Sequence, residues 1–190
     1  MSKRLIHIIR HGETLNNKER KIRGWNDLSL DKAGIEKAHK TGIQLRNKPI
    51  DIIATSDFIR AKDTAQIISI ETRKPISLIS EDFRPWDLGN LTDEKIDDVK
   101  DIMIAHVEDM PDIPIEDGES FNNFKERFLN SFCELLNKYE GLDLALVTHH
   151  RNERVIAAWI NAGQPVDFEI DNSQMSKTGI EPGEYVTYEI

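Results

Sequence analysis

Residues 5–9, Leu-Ile-His-Ile-Ile, make a short apolar run that breaks off at Arg10-His11-Gly12-Glu13-Thr14. A β-branched run of this length reads as a buried strand, the kind that a parallel sheet covered on both faces requires. Residues 10–14 are poor strand material and good site material: a permanent cation, an imidazole, and a glycine that lets backbone approach a ligand closely. Ligands of α/β sheets gather at the carboxyl ends of the strands. Arg10 and His11 are therefore candidates for opening an anion-handling site, and the rest of the chain has to supply partners for them.

The pattern continues as strands alternating with helices. Residues 50–54, 75–79, 142–147 and 184–190 read as further strands. Between them lies a helix after Asp31, with Ala33, Ile35, Ala38, Ile43 and Leu45 mostly on one side, weakened by Gly34 and Gly42 and stopped at Pro49. A second helix over 58–70 has Ser56 or Asp57 as cap, and a third, capped by Thr92 or Asp93, runs to about Val107. Ser120 caps a fourth over 121–139, whose Phe121, Phe124, Phe128, Phe132 and Leu135 recur at helical spacing and read as core. A buried helix covers 155–160. Residues 15–27 read as a loop with at most a short helix, 83–91 as irregular, and 110–119 as an exposed acidic connector. This order predicts a three-layer α/β/α sandwich around a mainly parallel sheet, one domain over residues 1–190.

The chain of 190 residues carries a net charge of −9, so a basic surface for nucleic acid or anionic membrane is not expected. An anion site must then be a local cluster of cations. The single cysteine, Cys133, allows no internal disulfide and reads as a buried structural thiol suited to the cytoplasm. No run approaches the roughly 18 apolar residues of a membrane span. His7, inside the first strand, reads as a core histidine, and His39 and His106 fall on helix surfaces with no partner pattern. No helical His-x-x-x-His or cysteine pair supports a metal site.

The first event recurs: the strand over 142–147 ends in Thr148-His149, as the first ends in Arg10-His11. Both histidines then lie on one edge of the sheet, and Arg60 follows the end of a third strand. An imidazole can attack phosphorus, two guanidiniums can hold non-reacting phosphoryl oxygens, and a protonated second histidine adds charge where those oxygens gather it.

In these residues the chain resembles the histidine phosphatase superfamily, the phosphoglycerate-mutase-like proteins. Arg10-His11-Gly12-Glu13-Thr14 is similar to its signature; Asn17, then Gly24, Asp27 and Leu30, fit the loop after it. Ser56 with Arg60-Ala61 and Thr64-Ala65, Gly118-Glu119-Ser120 with Arg127, and Thr148-His149 match further segments in order. The resemblance implies a phosphoglycerate-mutase-like fold, His11 as a nucleophile that becomes phosphohistidine, and Arg10, Arg60, His149 and Asn17 around the phosphoryl group. It implies no metal and no other cofactor, and a small-molecule phosphate ester, or less readily a phosphoprotein, as partner. The chain is expected as a monomer or a homodimer.

Three departures matter. Proline, at position 85, stands where the family commonly places a glutamate general acid, and Asp87 is the nearest carboxyl. Either Asp87 is the acid, its pKa raised by burial beside Trp86, or the acid is missing and the protein acts on good leaving groups or only binds phospho-ligands. Arg23 replaces a residue that is often glutamine and is a candidate for a second anionic group; the alternative is a surface arginine. His150-Arg151 replaces small residues, with His150 a candidate for substrate contact and Arg151 either lining the pocket or facing solvent. Phosphatase is the expected activity, phosphomutase the alternative. Trp25 and Trp86 are expected at the pocket rim.

Overall fold

The computed structural model describes residues 3–176 and 179–190. Its strands are β1 (Leu5–Arg10), β2 (Ile52–Ser56), β3 (Ile76–Ser80), β4 (Leu144–Thr148) and β5 (Tyr185–Glu189), in one sheet ordered β3-β2-β4-β1-β5. The first four run parallel, and β5 closes the edge antiparallel to β1. The helices are α1 (Leu15–Lys18), α2 (Lys32–Leu45), α3 (Ile59–Thr72), α4 (Ile96–Glu108), α5 (Phe121–Lys138) and α6 (His150–Asn161).

Alternation along the strands feeds two cores. Ile6 and Ile8 of β1, Ile52 and Ala54 of β2, and Leu144 and Leu146 of β4 pack with α4, α5 and α6. Their neighbours Ile9, Ile53, Ala145 and Val147 face the other way, against Leu45 of α2 and Ala61, Ala65 and Ile68 of α3. The period of two in a strand makes this a sheet covered on both faces, as the continuous apolar runs predict. On α5 the stripe Phe121, Phe124, Phe128 and Phe132 is wholly buried. Ser120 caps this helix by accepting from the Asn123 N–H at 3.1 Å. His7 is a core histidine between the Thr187 hydroxyl and the Pro49 carbonyl.

Several local expectations are corrected. The face of α2 that packs is not its large apolar residues: Ile35 and Ile43 are exposed, while Gly34, Ala38, Thr41, Gly42 and Leu45 are buried. The two glycines are contact points. A Cβ on Gly34 would lie 2.6 Å from the Glu13 nitrogen and closer still to its carbonyl oxygen, and one on Gly42 would lie 2.7 Å from the Glu71 Cβ. Neither Ser56 nor Asp57 caps α3 at its first turn. Asp27, far away in sequence, accepts from the Ile59 N–H at 2.7 Å, and Asp57 is paired with Arg84. Thr92 and Asp93 do not cap α4, whose N-cap position is Lys95; the Asp93 carboxylate instead accepts from Asn16 and Asn26. His39 does have a partner, Glu71 at 2.9 Å, and His106 meets the Ile113 carbonyl. Cys133 is half-buried rather than buried, since it flanks the phenylalanine stripe of α5 instead of lying on it.

Alanine at position 34 separates two effects. Helix propensity alone favours alanine over glycine by about 1 kcal/mol. Overpacking against backbone costs about 1–3 kcal/mol. Because the atoms met are backbone atoms of Glu13, the second effect wins, and Gly34→Ala is expected to destabilise the protein in urea unfolding. An unchanged or raised midpoint would refute the contact.

Candidate active site

The two histidines meet because β1 and β4 are neighbours in register. Arg10 pairs with Thr148, and the His11 N–H donates to the Thr148 carbonyl at 2.9 Å, one step past the ladder. The next residue on each chain is then a site residue. The His11 and His149 rings lie 5.3 Å apart, tilted by 59°. His149 is the N-cap position of α6, so the first turn of that helix opens onto the same place and its free N–H groups favour an anion.

The turn after β1 is held from four sides. The Gly12 N–H donates to the Thr64 hydroxyl of α3 at 3.0 Å. Its α-carbon faces Gly34 of α2, whose carbonyl oxygen would be 2.6 Å from a Cβ. The Gly183 N–H reaches the Arg10 and His11 carbonyls at 3.1 and 3.0 Å, and Gly183 in turn accepts from Thr41 of α2. The Asp31 N–H, just ahead of α2, donates to the Glu13 carbonyl at 3.0 Å. These contacts set the direction of the His11 side chain.

Among the described residues the ring of His11 has one polar partner, the Gly12 carbonyl, 2.7 Å from Nδ1. A carbonyl only accepts, so Nδ1 carries the proton and Nε2 keeps its lone pair. Burial, followed by Arg60, His149, Arg23 and Arg10, holds His11 well below the ordinary imidazole range. It is a neutral imidazole with a free nitrogen.

A protonated His149 would add charge at the phosphoryl oxygens. Here burial, then Arg60, Arg23 and Arg10, hold it well below the ordinary range as well. Both its ring nitrogens are buried with no partner among the described residues. Protonation of His149 therefore requires a negative charge brought between it and the arginines.

A cavity of about 150 Å³ opens beside the pair, lined by His11, His149, Arg60, Arg23, Gly24, Lys21, His150 and Arg151 on its polar side. Ile22, Pro85, Trp86, Leu88, Ile96 and Met103 make the apolar side. Arg60 is almost wholly buried; its terminal nitrogens donate to the Asn26 and Gly24 carbonyls at 2.7 and 3.1 Å, and burial lowers it to about 10. Arg23 is drawn down to about 9 by burial, then by Arg10 and Arg60. Both remain cations at neutral pH.

Of the residues singled out from sequence, the structure brings His11, His149, Arg23, Gly24, Arg60 and His150 to the cavity wall. Arg10, Asn17 and Asp87 are not on it. Arg10 is buried behind the wall, donating to the Ile180 carbonyl at 2.8 Å with its Nε unpartnered, and its charge is felt by both histidines. Asn17 accepts from the Thr14 N–H and hydroxyl and shapes the turn. The Asp87 carboxylate accepts from the Gly89 N–H at 3.1 Å, while the Asp87 N–H donates to Glu119. It builds its own loop. Trp25 is at the rim, donating to the Pro85 carbonyl under the guanidinium of Arg84, and Trp86 lines the wall.

Arg151, left open between pocket and solvent by its sequence position, lines the cavity. Glu153 escaped sequence reasoning altogether. It is buried, accepts from the Ile180 N–H at 3.2 Å, and is raised to about 7 by burial against Arg154, Arg10 and Arg151. Its spacing of four from His149 places it on the same side of a helix, a signal that was readable.

The whole of this frame matches one family, the histidine phosphatase superfamily (branch 1), over residues 6–189. The chain belongs to that superfamily. Phosphoglycerate mutase-like protein 4 of Arabidopsis thaliana is 31% identical over 150 residues, covering 76% of this chain and 65% of that protein. The chain therefore spans just under two-thirds of that relative's length. The uncharacterized phosphatase PhoE of Bacillus subtilis is 27% identical over 160 residues, covering 84% of this chain and 79% of the relative. Among solved structures, the α-ribazole phosphatase from Shigella flexneri superposes with a TM-score of 0.79 at 22% identity, over 96% of this chain and 89% of that one. The superfamily includes both phosphatases and mutases. Among the described residues, no helix is long and apolar enough to cross a membrane.

The buried imidazoles make stability depend on pH. His11, His149 and His150 are neutral in the fold and take up protons in the unfolded chain below about pH 6.5, so their contribution is present above that pH and lost below it. Glu153, raised to about 7, acts oppositely: its contribution is present below the ordinary carboxylate range and lost as pH rises through 7. His7, lowered by burial as well, adds in the same direction, so the histidine protons outnumber the one of Glu153 and stability falls as pH drops below about 6. Urea unfolding at pH 7.5, 6.0 and 5.5 should show this fall, and His150→Gln should reduce the slope by about one proton. A midpoint that stays level across this range would contradict the neutral-imidazole site.

Proposed function

We propose that this chain is a phosphomonoester phosphatase working through a phosphohistidine at His11. The observation that carries the reading is the Nδ1 hydrogen bond to the Gly12 carbonyl, which leaves Nε2 as a lone pair at a cationic cavity. In the first step Nε2 attacks phosphorus, the N–P bond forms, and the ester P–O bond breaks with its electron pair on the leaving oxygen. Arg60 on the wall and Arg10 behind it offset the phosphoryl charge, and the incoming dianion raises the proton affinity of His149, so that its imidazole takes a proton from solvent and adds to them where charge accumulates. In the second step water attacks phosphorus and the N–P bond returns its electrons to His11, releasing inorganic phosphate.

Asp87 has no place in this reading. Its carboxylate is engaged with the Gly89 N–H, off the cavity wall. The arrangement supports substrates whose leaving oxygen needs little protonation. The phosphatase names among similar proteins support hydrolysis. The mutase-like relative makes phosphomutase the competing reading, in which an alcohol on a second substrate takes the phosphoryl group in place of water.

The experiment is trapping with a radiolabelled aryl phosphate. An acid-labile, base-stable label on the protein is expected, absent in His11→Ala, whose turnover should fall at least about 10³-fold, the scale of a lost nucleophile. Asp87→Asn keeps an acceptor for Gly89 and should leave the ratio of aryl to alkyl phosphate turnover unchanged. A selective loss on alkyl phosphates would restore Asp87 as the acid, and full activity in His11→Ala would end the nucleophile assignment. Transfer to an added phosphoglycerate faster than to water would favour the mutase.

A further inference from the structure

The cavity holds more positive charge than one phosphoryl group uses. Beyond His11, His149 and Arg60, its wall carries Arg23, Lys21, His150 and Arg151. Lys21 is paired with Glu19. The guanidiniums of the half-buried Arg23 and Arg151 have no hydrogen bond or ion pair among the described residues, and His150 Nδ1 is buried without a hydrogen-bond partner among them, 4.0 Å from Glu153. Guanidiniums partly withdrawn from water and free of carboxylate or carbonyl partners are ready to bind an anion bidentately. Every titratable side chain on that wall is a cation or an imidazole, so the leaving group meets positive charge and no carboxylic acid. Ile22, Leu88, Ile96 and Met103 line the same cavity and add apolar surface to it.

We propose that the wall around Arg151 and Arg23 is a second anion subsite and that the preferred substrate is a small organic diphosphate, with its terminal phosphoryl group at His11, its inner phosphate on the two arginines, and its apolar body against Ile96 and Met103. The inference rests on the phosphohistidine reading above and adds the substrate class. The chemistry fits the wall. Nε2 of His11 bonds to the terminal phosphorus, the bridging P–O bond breaks, and its electron pair stays on the inner phosphate, which leaves as the organic monophosphate. No proton is needed at that oxygen, whose conjugate acid has a pKa of about 6, against about 15.7 for water as a guide to an alkoxide. Arg151 and Arg23 meet the charge as it develops. Water then releases inorganic phosphate from His11.

The test compares n-butyl diphosphate, n-butyl phosphate and p-nitrophenyl phosphate on the wild-type protein and on Arg151→Gln. The diphosphate should exceed the butyl monophosphate in kcat/KM by at least about 100-fold, the size of a missing general acid. Arg151→Gln should lower kcat/KM for the diphosphate at least tenfold more than for p-nitrophenyl phosphate. Butyl phosphate turned over as well as the diphosphate overturns the proposal, as does an equal loss on both probes in a folded Arg151→Gln. The wild-type comparison stands alone if that variant does not fold. Turnover of p-nitrophenyl phosphate that depends on His11, with no preference for the diphosphate, defeats the substrate class and leaves the phosphatase reading standing. No turnover of any probe defeats both.

Discussion

The parallel pairing of β1 with β4 is the contact from which the site grows. Two segments more than a hundred residues apart lie side by side with Arg10 opposite Thr148, and the ladder extends by one hydrogen bond from His11 to the Thr148 carbonyl. A shift of one residue would turn every side chain of one strand to the other face. Because both faces are packed with apolar side chains, that shift is forbidden by the core itself. The two imidazoles are thus aligned by hydrophobic burial and need no hydrogen bond between them.

Around that edge the chain solves an electrostatic problem. The protein is acidic overall, with a net charge of −9, yet it concentrates guanidiniums and imidazoles at one buried point. Backbone carbonyls make this tolerable. Arg60 is held by Gly24 and Asn26, Arg10 by Ile180, and the proton of His11 by Gly12. Carbonyl dipoles fix the cations without cancelling their charge, as carboxylates would. Carboxylates appear one layer out: Asp57 on Arg84, and Glu119 on Arg127. The field at the wall therefore stays positive, and a dianion is the species that relieves it.

The strands, the helix order and the two histidine ends were legible in the sequence because they follow local rules: β-branched runs, breaks at glycine and polar residues, and phenylalanines at helical spacing. The face of α2 was not, because its packing uses the absence of side chains at Gly34 and Gly42, and hydrophobic periodicity assigns no value to a missing Cβ. Caps that come from far away, such as Asp27 on α3, carry no signal in the neighbouring residues. Asp87 is the carboxyl nearest to Pro85 in the chain, and nearness in sequence is its only claim to the acid's place. Its carboxylate is instead satisfied two residues on by Gly89, the local turn that aspartate forms readily.

Arg151 shows how a substitution beside a site changes the site's demands. At the start of α6, where small residues are usual in this family, the chain has His150 and Arg151, and both line the cavity. A larger side chain there takes volume from the substrate, and the cavity is only about 150 Å³. It also brings charge that must be neutralised from the cavity side, since Glu153 already serves Ile180 and faces Arg154 and Arg10 as well. Under the diphosphate proposal, the proline at position 85 and the cation at position 151 act in one direction. The first removes the means of protonating a leaving oxygen, and the second stabilises a leaving oxygen that keeps its charge. A site altered in only one of these ways would be a weakened version of its relatives, whereas both together are what the proposed diphosphate specificity requires.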